Sequence, residues 1–331
     1  MRRGFEVAGL LETHGSMMAT NPVDHDIPGA PVRYSPDVEQ IAPDEADTIR
    51  ELSETMRSIS ETTFKNAGHP LRSVHAKSHG VLTGEFAVLD NLPKAYAQGL
   101  FATPRSYPAA LRFSTSPGDI MDDSVSTPRG LAIKVIGVDG ERVAGSQSER
   151  TQDFVMVNGP AFLAPTPKKF LGSLKLLAKT TDKGEGVKKL ISAALRATEA
   201  AIEALGGKSP TLTSLGGQRE THILGETFFS QVPVRYGDCI AKISVAPVSL
   251  ELTRLIDAPL DYDGNPNALR DAVIAFFKQH GGVWEVRVQL CTDIETMPVE
   301  DASVVWPEDK SPYVAVARLT VPMQDAWAQP T

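Results

Sequence analysis

Residues 284–290, WEVRVQL, alternate large apolar side chains with polar or charged ones, and residues 313–321, YVAVARLTV, largely repeat that pattern. Successive side chains of a β-strand point to opposite faces, so this alternation is typical of an antiparallel strand with one face in a core. Counted with the apolar run around Phe228, about eight strands are expected; the others are VHAKSHGVL (74–82), AALRFST (109–115), LAIKVIGV (131–138), DFVMVN (153–158) and CIAKISVA (239–246). Regular strand–helix alternation is missing. The sequence therefore predicts an α+β protein, an antiparallel β-barrel of about eight strands with external helices.

Helical patterns occur in three places. Residues 43–59 begin with proline and acids and carry apolar residues at helical spacing. A second helix is expected after Asn267, with Gly281-Gly282 as its stop. Residues 168–208 are basic, with nine Lys or Arg against four Asp or Glu, and carry an apolar helical face from Val187 to Leu205. This insert is expected to pack on the barrel; an anionic membrane or partner surface is the alternative.

The division of the chain follows from these patterns. Residues 1–42 are rich in proline without periodicity and predict an N-terminal arm. Residues 43–331 predict one barrel domain that carries the helical insert at about 168–208. The dipeptide Asp139-Gly140 lies next to an apolar run and predicts a β-hairpin turn.

Composition excludes several classes of protein. The net charge is −8, from 33 Lys and Arg against 41 Asp and Glu, which argues against a nucleic-acid partner. No apolar run approaches the roughly 18 residues of a transmembrane helix, so no transmembrane segment is expected. Cys239 and Cys291 are too few for a disulfide framework and are expected to be reduced, buried residues of a cytoplasmic protein.

Two histidines lie close together in the first strand pattern. The period of two places His75, Lys77 and His79 on one face of that strand. Positions four apart on a strand are separated by about 13 Å at about 3.3 Å per residue, which disfavours a shared zinc ion. Taken alone, these residues are better explained as ordinary hydrogen-bonded histidines than as catalytic ones.

Four segments taken together change that interpretation. In chain order they are RSVHAKSHGVLTGEF (72–86), LRFSTSPGD (111–119), TPRGLAIKV (127–135) and DFVMVNGPAFL (153–163). Their order and approximate spacing resemble those of the haem catalase family. The likeness continues through FFSQVPVRYGD (228–238) and VQLCTDIETMPVEDASVVWPE (288–308) and is strongest to small catalase-related haem proteins.

The resemblance implies a catalytic set on the peroxide side of a haem b cofactor. His75 corresponds to the acid and base, Asn158 to its partner at the peroxide, and Ser114 to the hydroxyl that orients the histidine ring. A neutral imidazole can accept a proton from one peroxide oxygen and return it to the other. Asn158 would donate a hydrogen bond to one of those oxygens.

The resemblance also implies cofactor-binding residues. Arg72 and Arg112 match positions that pair with haem propionates, with ordinary barrel ion pairs as the alternative. Val74, next to His75, is expected at the cofactor. Phe170 falls near a haem-stacking phenylalanine of the family, although a core phenylalanine explains it equally well, and Leu163 stands where the family has a second phenylalanine.

The metal ligand is where the sequence departs most from the family. The family binds iron through the tyrosinate of an R-x-x-x-Y helix, and no tyrosine of this chain has an arginine four residues earlier. Either the sequence is part of a longer protein, or it is complete and uses another ligand or no haem. We expect weak haem retention by these 331 residues, with any iron coordinated atypically.

The resulting functional expectation is haem-dependent breakdown of hydrogen peroxide or an organic hydroperoxide. The sequence does not choose among catalase, peroxidase and hydroperoxide-rearrangement chemistry. The alternative is a non-catalytic barrel that binds haem or another apolar ligand. A homo-oligomer is compatible with the sequence.

Overall fold

The computed structural model describes residues 29–178 and 219–328. Nine strands form in this part of the chain, and each pairs with its neighbours in antiparallel fashion. They are β1 (Lys77–Val88), β2 (Ser106–Thr115), β3 (Arg129–Ile136), β4 (Thr151–Val157), β5 (Phe228–Phe229), β6 (Val234–Tyr236), β7 (Cys239–Pro247), β8 (Gly282–Leu290) and β9 (Val314–Val321).

Eight of these strands close into a barrel. Their order is β5-β4-β3-β2-β1-β9-β8-β7, and β5 also pairs with β7, which closes the ring. The short β6 pairs with β7 as a hairpin outside that ring. The predicted antiparallel barrel of about eight strands is therefore confirmed.

The alternating side chains sort into an apolar interior and a more polar exterior. On β2 and β3 the inward residues Leu111, Phe113, Leu131 and Ile133 are fully buried. Aromatic rings fill the centre, where Phe113 lies 5.8 Å from Phe228 and 6.3 Å from Trp284 between ring centroids. The intervening positions on β2 and β3 therefore point to the outside of the barrel wall.

Within the described residues, four α-helices lie outside the strands. They are α1 (Glu45–Ala67), α2 (Pro167–Ala178), the single turn α3 (Leu250–Thr253) and α4 (Ala268–Phe277). Helix α1 ends at Gly68, which adopts a left-handed conformation, and it packs against α2. The predicted helix after Asn267 is confirmed as α4, which buries Leu269, Val273, Phe276 and Phe277.

Several local expectations are wrong. Asp139-Gly140 makes no tight hairpin, because β3 and β4 are joined by residues 137–150 and the Asp139 carboxylate instead accepts bonds from Arg105 and Arg150. On α1, Ile49 is one of the apolar residues at helical spacing, yet it is about half exposed, whereas its neighbour Thr48 is buried. The predicted helical face from Val187 to Leu205 lies outside the described residues.

The ends of the described chain run along the barrel. Val32 donates its amide hydrogen to the carbonyl of Cys291, and Arg33 forms an isolated bridge with Cys239. Both cysteines are free and buried, as expected.

Within residues 29–178 and 219–328, no helix combines the length and the apolar character needed to cross a bilayer.

Candidate functional site

The His75 ring lies against the outer face of the barrel at the start of β3. Its Nδ1 is 3.3 Å from the Oγ of Ser114 on β2. Ser114 pairs with Gly130 across the two strands, and a Cβ placed on Gly130 would lie only 2.7 Å from His75 Nδ1 and 2.8 Å from Cε1. The missing side chain at Gly130 therefore makes the space that the imidazole occupies.

The backbone at His75 is unusual. Its φ is 49°, in the left-handed region that residues with a Cβ rarely adopt, and β1 begins only at Lys77. The expectation that His75 shares a strand face with Lys77 and His79 is therefore wrong. His79 Nε2 instead lies 3.0 Å from Thr115 Oγ1, and Lys77 forms a buried ion pair with Asp123 at 2.7 Å. The three side chains have separate partners.

Arg112 holds the backbone of this turn. Its Nη2 donates to the carbonyls of His75 at 2.8 Å and of Ala76 at 3.2 Å. Burial, and to a smaller extent the positive charge of Arg112, lower the pKa of His75 to about 4. The ring is therefore neutral at pH 7, the state in which it can accept a proton.

Asn158 immediately follows β4, and its side-chain amide both accepts and donates a hydrogen bond. Its Oδ1 accepts the backbone N–H of Arg129 at 3.0 Å, and its Nδ2 donates to Glu226 Oε2 at 3.4 Å. Its own backbone N–H donates to the carbonyl of Arg129. Because Arg129 precedes Gly130, the structure brings Asn158, Ser114 and His75 together at the start of β3. Their roles stay predictions.

Sequence reasoning missed the buried cluster beside Asn158. Arg129 is 3% exposed and donates to Thr221 Oγ1 at 2.9 Å, to the Tyr262 hydroxyl at 3.0 Å and to Glu226 Oε1. Thr221 also donates to that Glu226 oxygen at 3.0 Å. Arg129 and Gly130 belong to the quoted TPRGLAIKV segment, but Glu226 lies 68 positions after Asn158, so no local pattern could pair them.

Arg72 and Arg112 lie close enough for their positive charges to interact. Burial and the positive charge of Arg72 lower the pKa of Arg112. Among the described residues, neither guanidinium forms an ion pair, so the alternative of an ordinary barrel ion pair gains no support. Two adjacent guanidinium groups without a carboxylate are a donor set suited to an anionic ligand.

The remaining predicted residues flank this region. Val74 is half-buried beside His75. Phe170 lies on α2, with its ring centroid 4.9 Å from that of Phe162, and Leu163 is half-buried. The ring contact is compatible with the core interpretation of Phe170, and its stacking role stays a prediction.

Comparison with known proteins adds one decisive observation. No family model and no curated protein matches the sequence. Solved structures do match. A bacterial catalase aligns over 89% of this chain at 16% identity and a TM-score of 0.55, and a fungal catalase over 97% at 19% and 0.52. Catalase A from Saccharomyces cerevisiae aligns over 89% at 17% and 0.51.

The chain has a catalase-like fold. It spans 55%, 63% and 58% of the lengths of those three catalases, respectively. The closed antiparallel barrel and the helices outside it agree with the architecture that the sequence predicted.

The cofactor expected for this catalase-like fold can be tested against the residues present. His75 contacts Ser114, Asn158 lies at the start of β3, and within the described ranges the guanidinium groups of Arg72 and Arg112 form no ion pair, a set of groups compatible with haem b and its carboxylates. Among the described residues, no group of three or more His, Cys, Asp or Glu is placed to hold a metal ion without a cofactor.

Three of the tyrosines have protein partners of their own. All six lie in the described ranges. Tyr236 donates to the Tyr96 carbonyl, Tyr262 donates to the Thr221 carbonyl, and Tyr313 packs edge-on against Phe229 immediately before β9 rather than within it. Burial raises the pKa of Tyr262 to about 12 and that of Tyr313 further still, so both are neutral phenols.

Proposed function

We propose that this chain is a haem-dependent enzyme that breaks down hydrogen peroxide or an organic hydroperoxide, with His75 as acid and base. The observation that supports the proposal most directly is the His75 ring, neutral through burial and in contact with Ser114 at Nδ1. Haem b, when bound, supplies the iron centre whose oxidation accompanies cleavage of the O–O bond.

The protein residues handle the protons of that reaction. His75 takes a proton from one peroxide oxygen at Nε2 and returns it to the other, so that water leaves from hydrogen peroxide and an alcohol leaves from an organic hydroperoxide. Ser114 keeps the ring oriented through Nδ1. Asn158 donates an amide hydrogen bond to a peroxide oxygen.

The cofactor-binding assignments belong to the same proposal. Arg72 and Arg112 bind the two haem carboxylates, a role supported by their proximity and by the absence of an ion pair for either within the described ranges. Val74 contacts the macrocycle next to His75. Phe170 is the proposed stacking residue, and its ring contact with Phe162 equally suits a packing role.

The test compares haem-loaded wild-type protein with His75→Ala. We expect the variant to keep its affinity for haem and to lose peroxide consumption by about 10²-fold or more, the usual scale for a positioned acid and base. His69→Ala is the matched control, because His69 is exposed. Equal turnover in wild type and His75→Ala would contradict the assignment of His75.

Product analysis separates the reaction types. Oxygen release indicates catalase chemistry, oxidation of an added reductant indicates peroxidase chemistry, and a rearranged lipid product indicates hydroperoxide isomerisation. A protein that binds haem without consuming any peroxide would favour the non-catalytic alternative. Cytoplasmic location and homo-oligomer formation stay predictions.

A further inference from the structure

Gln231 belongs to the segment FFSQVPVRYGD (228–238), and the proposed chemistry gives it no role. Its φ is 61°, in the left-handed region, and the residue is 8% exposed. The N–H of Val232 donates to the carbonyl of Ser230 at 2.7 Å, which closes a three-residue turn around Gln231. Such a turn with a positive φ is rare and strained. Strained, buried positions of this kind cluster at functional sites, so the side chain that this turn directs needs an explanation.

Ser230 holds the turn on strand β7. Its backbone N–H donates to the carbonyl of Ile243 at 2.8 Å. Its hydroxyl accepts the N–H of Ile243 at 3.1 Å and donates to the carbonyl of Val232 at 3.1 Å. The side chain of Gln231 takes no part in these bonds, so they fix the turn without it.

The Gln231 amide instead binds the loop that follows Asn158. Its Nε2 donates to the carbonyl of Ala161 at 2.5 Å. A Cβ placed on Gly159 would lie 3.7 Å from the same nitrogen, which is an ordinary packing distance. Because a carbonyl oxygen can only accept, the NH2 end of the amide faces Ala161. The amide thus packs beside the residue directly after Asn158.

Backbone bonds hold the same loop at a second place. The N–H of Phe162 donates to the carbonyl of Ala302 at 2.9 Å, and the N–H of Ala302 donates to the carbonyl of Pro165 at 3.1 Å. Ala302 lies in the chain between β8 and β9. Residues 159–166, which join Asn158 to α2, are therefore tied both to this segment and to the turn at Gln231.

We propose that Gln231 is a positioning residue that fixes the loop at residues 159–166 and, through it, the backbone that follows Asn158. This inference rests on the proposed function for its consequence in turnover, whereas the contact with Ala161 is a property of the protein alone. Phe162 of this loop also contacts the proposed stacking residue Phe170, with ring centroids 4.9 Å apart. Loss of the Gln231 bond would loosen both flanks of the loop.

The first experiment follows the loop by hydrogen exchange and mass spectrometry on the full chain. Gln231→Met keeps the length of the side chain but removes the donor, so the backbone amides within residues 159–164 should exchange at least tenfold faster. Gln152→Met is the matched control, because the Gln152 amide also donates to a backbone carbonyl, that of Asp153 at 3.2 Å, but on β4. It should leave exchange in the loop unchanged.

Gln231→Gly separates the side chain from the turn. Glycine adopts a positive φ without strain, which offsets the lost hydrogen bond, so the urea midpoint should stay close to the wild-type value. Exchange in the loop should nevertheless be as fast as in Gln231→Met. This variant keeps the proposal testable if Gln231→Met fails to fold. Wild-type exchange in Gln231→Gly, or faster exchange that only follows a lower urea midpoint, would show that the amide does not position the loop.

The second experiment measures turnover in the haem-loaded protein. Both Gln231 variants should lower kcat for peroxide about tenfold, because displaced catalytic groups lose rate, while Gln152→Met should not. The pH midpoint of kcat/KM should not move, since His75 keeps its contacts with Ser114 and Arg112.

The outcomes separate this proposal from the proposed function. If the wild-type protein shows no turnover, the proposed function fails, and the exchange measurement still tests Gln231. Faster exchange with unchanged kcat would overturn the positioning role of Gln231 in the reaction. Equal exchange in the wild type and both Gln231 variants would overturn its hold on the loop.

Discussion

At the scale of single residues, His75 carries the clearest local cost in the candidate site. A non-glycine residue with a φ of 49° is held in a sparsely populated conformation that costs on the order of 1–3 kcal/mol. The two carbonyl contacts of Arg112 and the space above Gly130 stabilise that conformation. The strained turn directs the ring at Ser114, which a regular strand through residue 75 would not do.

The lowered pKa of His75 predicts the acid limb of the pH profile. The neutral ring is the competent form, and its pKa is about 4, so kcat/KM for peroxide should be flat from pH 8 to about 5 and half-maximal near pH 4. Stopped-flow measurement in the haem-loaded protein tests this. An inflection near pH 6.5, the ordinary value for histidine, would contradict a buried neutral ring at the site.

Gly130→Ala should displace His75. The added Cβ would lie 2.7 Å from His75 Nδ1, closer than real Cβ contacts allow, and 3.1 Å from Ser114 Oγ, a tight contact. We expect a loss of about 1–3 kcal/mol in the free energy of unfolding and at least tenfold in peroxide turnover. Gly172→Ala is the control, because that helical position is open and alanine there should stabilise by about 0.5–1 kcal/mol. Wild-type behaviour of Gly130→Ala would refute the steric argument.

At the scale of elements, the sequence predicts strands better than the turns between them. Alternation locates the central residues of the strands correctly, because one buried face determines which side chains point inward. It extends the first strand too far, since the left-handed His75 comes before Lys77, and it misplaces a hairpin at Asp139-Gly140. Those features depend on Arg112 and on Arg150, side chains that no local pattern connects to them.

Among the candidate residues, those that share one quoted segment were easier to predict than those that meet across distant parts of the sequence. Ser114 follows directly from the resemblance because it belongs to the same segment as Arg112. Glu226 could not be found, since its contact with Asn158 forms only when the chain after the insert returns to the barrel.

The ion pair between Lys77 and Asp123 joins β1 to the N-terminus of α4. Lys77 Nζ lies 2.7 Å from Asp123 Oδ1, and Asp123 Oδ2 accepts the backbone N–H of Leu269 in the first turn of the helix. Both charges are buried, so Lys77→Met leaves an uncompensated carboxylate and should cost about 3–5 kcal/mol in urea unfolding.

The control for that prediction is an exposed pair of the same length. Lys134 and Asp153 lie 2.7 Å apart with about half of each side chain exposed. Lys134→Met should change the free energy of unfolding by less than about 1 kcal/mol. Comparable losses in the two variants would mean that burial does not set the strength of the Lys77 pair.

At the scale of the whole molecule, three histidines with lowered pKa values make stability depend on pH. Desolvation lowers the pKa of His75 and His222 to about 4 and that of His79 to about 2. Unfolding restores values near 6.5, so the unfolded chain binds more protons between about pH 4 and 6.5. Acidification therefore favours the unfolded state, and this contribution to stability is fully present only above about pH 6.5.

The slope of that dependence is measurable. Three groups that each bind one proton on unfolding give up to about 4 kcal/mol per pH unit near pH 5, lost on acidification. Urea unfolding at pH 7, 6 and 5 tests the sign and the size. His222→Gln should reduce the slope by about a third, whereas His69→Ala, at an exposed position, should not. Stability that rises on acidification would overturn the account.

The closing strand of the barrel also bears on how the protein folds. β5 contributes only Phe228 and Phe229, pairing with Val157 and with β7, and 70 residues separate Val157 from Phe228. Joining segments so far apart in the sequence for so few hydrogen bonds is entropically unfavourable, so we expect this seam to form last. Asn158 and Glu226 lie beside the seam. Folding intermediates with an open barrel would thus lack the completed candidate site, and its assembly would report the final folding step.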